Sequence, residues 1–164
     1  MEALQVNPDN MEAYSSLALT YKMLGDKNKS KDYYQKCIDI VNKCNSYMNS
    51  NKSMLLDRRV KAMTYYNAGL ARMGMGRLAE KDGNISEAKK EYNLAKGNFN
   101  TALENAKMID LDSDIINIYE KAIEDAKSKI DALKKLAFNQ STGKVKNQSD
   151  ILDASRMNMA DGRA

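Results

Sequence analysis

Residues 11–44 read MEAYSSLALTYKMLGDKNKSKDYYQKCIDIVNKC. Two apolar series run through this stretch. The first is Tyr14, Leu17, Ala18, Tyr21 and Leu24; the second is Tyr33, Tyr34, Cys37, Ile38, Ile40 and Val41. Steps of three and four place each series on one face of a helix. Gly25-Asp26 between them predicts a turn. The stretch therefore reads as a helical hairpin, with helices over 11–24 and 27–48. Small residues at Ala18, Ser30 and Cys37 let the two helices approach closely, while Tyr14, Leu17, Tyr21 and Tyr34 fill the space between neighbours. One such hairpin cannot bury its own apolar face, so stacked neighbours must complete the core.

Outward from the hairpin the chain continues to read as helix. A long helical pattern over 54–81 is about 40 Å at 1.5 Å per residue. Asp82-Gly83 breaks it, and Asn84 or Ser86 is placed to cap the next helix, 85–109. Gly97 lies inside that helix as a soft point. Asp112 or Ser113 caps a last helix over 114–137. Upstream, residues 1–10 read as the last turn of a helix stopped by Pro8 and Asn10. The stretch at 49–53, NSNKS, reads as a loop and 138–149 as a polar linker. Residues 150–160 hold a short amphipathic pattern with Ile151, Leu152 and Met159. The expected organisation is a helical repeat domain over 1–137 and a polar linker with a short tail over 138–164.

Tyr14, Leu17, Ala18 and Tyr21, followed by Ser30, Tyr34 and Cys37, resemble the two helices of a tetratricopeptide repeat. Ala3, Leu4 and Pro8 resemble the end of a preceding repeat, so the chain looks like a fragment of a larger array. Tyr65, Ala68, Gly69 and Arg72 resemble a second first helix, with Arg72 where the family has Tyr. Its second helix is matched by the Gly83-Asn84 turn with Ala88, Tyr92 and Ala95, or in competition by Gly97-Asn98 with Phe99 and Ala102. Tyr14 and Tyr65 are 51 residues apart rather than the usual 34, which implies elongated helices or an insertion. The resemblance implies an all-α fold: antiparallel helix hairpins of an α-solenoid, closed by a C-terminal capping helix.

It also implies a concave groove lined by the first helix of each repeat, with another protein or a peptide as partner. In the first repeat the stripe beside the packing face holds Glu12, Ser15, Leu19 and Lys22. In the second it holds Met63, Tyr66, Leu70 and Met73, with Asn67 beside them. Both step by three, four and three, so each lines one helical face. The second stripe is Met-rich, a surface type that adapts to helical or extended peptides. The competing reading is that this stripe is buried against a neighbouring helix. Some family members clamp a peptide's terminal carboxylate with Lys and Asn. Here Ser15 and Leu19 occupy the matching places and only Asn67 resembles part of the clamp, so none is expected.

The last helix repeats Ile116, Tyr119, Ile123, Ala126, Ile130, Leu133 and Ala137 as a heptad. Packing back as a cap is one use of this seam. Self-association into a homo-oligomer is the alternative function.

Composition narrows the rest. The chain has 164 residues and no His, which removes the commonest general base and metal ligand. Cys37 and Cys44 are seven residues apart on a helix, about 10.5 Å, too far to pair with each other. They read as buried packing residues without a zinc site. Unpaired thiols point to a reducing, cytoplasmic compartment; a periplasmic one would require a removed signal segment. Asp110, Asp112 and Asp114 space like the start of a calcium loop, but Ile115 stands where its Gly belongs; capping explains them better. Gly143-Lys144 lacks the rest of a phosphate loop. No enzyme, cofactor or metal is expected. The net charge of +4 is spread, and Lys27, Lys29 and Lys31 are flanked by Asp26 and Asp32, so nucleic acid is not the expected partner. No apolar run is long enough for membrane insertion.

Overall fold

The computed structural model describes residues 11–50 and 56–141. Five helices occupy them: α1 (Met11–Asn28), α2 (Lys31–Ser50), α3 (Leu56–Lys81), α4 (Ile85–Lys107) and α5 (Ser113–Ser141), with no strand among the described residues. Expectations on residues 1–10, on the 150–160 tail helix and on the side chains of Glu12, Tyr14 and Ser15 lie outside the described residues.

Neighbouring helices pack as antiparallel hairpins in an α-solenoid arrangement. α3 is the central element, in contact with α1, α2 and α4, while α5 lies mainly along α4. Cross-links give the directions. Arg77 reaches Asp26 at 3.8 Å, which brings together the C-terminal ends of α1 and α3 and makes those helices parallel. Tyr66 stacks on Tyr119 at 4.7 Å and Lys129 reaches Glu80 at 3.2 Å, so α5 runs parallel to α3 as well.

Three helices end by one device. Lys29, Gly83 and Asp110 take left-handed φ values of 51°, 73° and 46°. The following N–H then donates to a carbonyl five residues back: Ser30 to Gly25 at 3.2 Å, Asn84 to Ala79 at 2.8 Å and Leu111 to Ala106 at 3.1 Å. This closure satisfies carbonyls that a helix end leaves orphaned. It also moves a predicted boundary. Gly25-Asp26 is not the turn; α1 runs one helical turn further and stops at Lys29. Likewise Gly97-Asn98 lies within α4, which decides the competing repeat match in favour of Gly83-Asn84. Asn84 caps α4 by accepting the Glu87 N–H at 3.1 Å, and Asp112 accepts the Asp114 N–H at 2.8 Å at the start of α5. α2 runs through Ser50 and α5 through Ser141, so 49–50 and 138–141 are helical rather than loop and linker. Neither stretch contains the Gly or Pro that would stop a helix.

The core uses the predicted small and large positions. Ala18, Tyr34, Cys37 and Cys44 are buried with Ala68 and Ala71 between α1, α2 and α3. Tyr92, Ala95 and Phe99 join Ala88 and Ala79 beneath α5. Neither cysteine is in a disulfide, and both are buried. Burial pushes the Cys37 thiol up to about 12, so it stays protonated and inert at neutral pH. Arg72, in the place where the family has Tyr, meets both Glu91 oxygens at 3.2 and 2.9 Å, with Glu91 only 2% exposed.

Candidate functional site

The parallel pair α1 and α3 carries the two predicted stripes. α1 presents an apolar face only in part, because Thr20 and Ser16 break it. Leu19 is nevertheless 44% exposed, and Met23, one helical turn on, is exposed beside it. On α3, Met63 is also 44% exposed.

The other predicted residues sit deeper. Tyr66 is half-buried, tilted against Phe99 and stacked on Tyr119. Leu70 is half-buried against the cluster that α4 and α5 form. Asn67 and Met73 are buried, and the Asn67 carbonyl faces the Cys37 thiol at 3.7 Å. The physical reason is the central place of α3. A helix with neighbours on several sides buries a wider arc than a two-sided stripe allows. Leu19, Met23 and Met63 therefore remain exposed, while Tyr66 and Leu70 are half-buried.

Lys22 and Arg77 lie towards the C-terminal ends of α1 and α3. Lys22 bonds Asp26 at 2.7 Å, and Arg77 approaches the same carboxylate at 3.8 Å. The Tyr34 hydroxyl, reaching up from α2, donates to Asp26 at 2.7 Å. Burial alone would raise the Asp26 carboxyl, but the Lys22 and Tyr34 hydrogen bonds and the nearby Arg77 charge outweigh it and hold it below the usual 3.8. Burial, with the Asp26 hydrogen bond, pushes Tyr34 up to about 12. Arg77 was not among the predicted site residues. The signal for it was present, since it continues the Met63, Tyr66, Leu70, Met73 series by one more step of four.

The predicted heptad faces inward. Tyr119, Ile123, Ala126, Ile130 and Leu133 are buried, Ile116 is half-buried and Ala137 is exposed. A knot joins three helices there: the Tyr92 hydroxyl donates to Glu80 at 2.5 Å, and Lys129 donates to the same oxygen at 3.2 Å. The outer side of α5 carries Asn117, Lys121, Glu124, Ser128, Asp131 and Lys135, all exposed, the polar surface that a terminal capping helix presents. Among the described residues no three His, Cys, Asp or Glu side chains gather to hold a metal, and no helix is long and apolar enough to cross a membrane.

Residues 12–43 match the tetratricopeptide repeat family, which supports a relationship of the chain to it. The matched segment is the α1–α2 hairpin from which the first stripe arises. Repeats of this family generally mediate protein–protein interactions. Comparisons with curated proteins and with solved structures found no match.

Proposed function

We propose that this chain is a protein-interaction module that takes a peptide or helix of a partner protein on the shared face of α1 and α3. The observation that carries the reading is the exposure of Leu19 and Met63, at 44% each, on parallel helices whose other described large apolar residues, Met23 apart, are half-buried or buried. Half-buried Tyr66 and Leu70 lie on the Met63 stripe and offer a firm floor, and flexible Met side chains suit irregular partner surfaces. The family relationship supplies the functional class.

Self-association through the α5 heptad is the weaker reading, since five of the seven heptad residues are already buried within the chain.

The test uses exposed positions, because Tyr66 and Leu70 also pack the core. Leu19→Glu and Met63→Glu together leave helicity and thermal stability unchanged and abolish capture of a partner from lysate of the source cells. Capture that survives the double substitution removes this face from the account.

A further inference from the structure

Towards the C-terminal ends of α1 and α3, two cations share one carboxylate. Of the acidic groups there, Glu80 is taken by Tyr92 and Lys129, and Asp82 pairs with Lys31 at 3.7 Å. Asp26 is left to serve Lys22, Arg77 and the Tyr34 hydroxyl together. The Arg77 contact is the loose one, at 3.8 Å with the Arg77 side chain 47% exposed. Its guanidinium forks five N–H donors, so most of its hydrogen-bonding capacity is left over.

We infer that the partner segment is acidic as well as apolar: a large apolar side chain seats on Leu19 and Leu70, and an Asp or Glu side chain about three residues away bonds Arg77 and Lys22. This rests on the proposed groove and adds the chemistry of its ligand. Leu70 to Arg77 and Leu19 to Asp26 are each seven residues along a helix, about 10.5 Å. Three residues of extended chain cover the same span at about 3.3 Å each. An incoming carboxylate neutralises the cation that Asp26 alone leaves in excess, and the guanidinium of Arg77 offers the fork geometry that selects carboxylates. Asp26 is then an internal competitor, and its removal favours the ligand.

The experiment is a selection on the full chain from random peptides with amidated C-termini, which excludes recognition of a terminal carboxylate. Enriched peptides are expected to carry a large apolar residue with Asp or Glu three positions away. Arg77→Glu should weaken them about tenfold, the loss of one charged hydrogen bond, and reverse the preference towards Lys or Arg at that position. Arg77→Lys should retain the acidic preference, and Asp26→Asn should tighten binding several-fold, with circular dichroism confirming that each variant folds. Enriched peptides that depend on Leu19 and Met63 but ignore charge, with Arg77→Glu silent, would overturn the inference and leave the groove standing. Enrichment indifferent to Leu19→Glu and Met63→Glu would overturn the groove, and the inference with it.

Discussion

At Gly25, Gly69, Gly74 and Gly76 an added β-carbon would fall within 3.0 Å of an aromatic ring carbon. Gly25 and Gly74 flank the Tyr34 ring, Gly69 faces Phe99 and Gly76 faces Tyr92. These residues are spaces for rings rather than signals for turns, which is why reading Gly25 as a turn put the boundary one helical turn early. Gly97 differs, since nothing lies within 4 Å of its missing β-carbon. Gly97→Ala should therefore raise unfolding free energy by up to about 1 kcal/mol in urea titration, whereas Gly74→Ala should lower it by about 1–3 kcal/mol through overpacking. Lys29 holds a conformation that costs a non-Gly residue about 1 kcal/mol, so Lys29→Gly should stabilise by a similar amount. The tyrosines give a pH signature. Burial, with the charge of a neighbour, pushes Tyr34 and Tyr119 up to about 12, from an ordinary value of 10.0. A raised folded value means that these groups contribute stability fully below pH 10 and lose it as pH rises towards 12. Ultraviolet titration should show both remaining protonated past the pH at which exposed tyrosines ionise, then ionising as the chain unfolds. Ionisation of all tyrosines together near pH 10 would contradict the packing described for them.

The helices themselves were legible from spacing alone, because apolar steps of three and four survive whatever the neighbours do. Their ends were less so. Only Gly83 announces a left-handed terminator by residue type, while Lys29 and Asp110 depend on closure bonds that form in three dimensions. Burial around α3 was the least legible feature: a stripe beside a packing face looks the same whether or not α5 folds over it, and Met73 is where the difference falls. Arg72 illustrates a compensated departure. Counted to the residues that end the helices, the stretch from Tyr65 to Gly83 is three residues longer than that from Tyr14 to Lys29, less than one full turn. The Arg72–Glu91 pair, in which one guanidinium nitrogen meets both carboxylate oxygens, stands where α1 has Tyr21 and links α3 to α4. Breaking one side of a buried pair leaves a stranded charge, so Arg72→Met should cost about 3–5 kcal/mol. The double variant Arg72→Met, Glu91→Leu should recover most of that loss, since an apolar pair of similar volume removes both charges. Urea unfolding of the two variants makes the comparison. A double variant as unstable as the single one would show that the pair contributes more than mutual neutralisation.

For the molecule as a whole, the two long sides of the solenoid have different fates. The α5 seam closes on α4 and α3 and turns a charged face outward, while α1 and α3 keep Leu19, Met23 and Met63 exposed. The sequence could not separate buried from exposed positions along the α3 stripe, because exposure depends on which neighbour covers α3. Sedimentation at about 100 µM should give a monomer, since the three-heptad seam of α5 is spent internally; a dimer dissolved by Ile123→Asp without loss of fold would return self-association to the front. The most direct measurement of the central claim is site-specific photo-cross-linking in source cells, with the reactive side chain placed at position 19, at position 63 and, as a control, at position 94 on α4, where Leu94 is also exposed. The account predicts one shared adduct from positions 19 and 63 and none from 94. An adduct formed equally from all three, or from 94 alone, would contradict it.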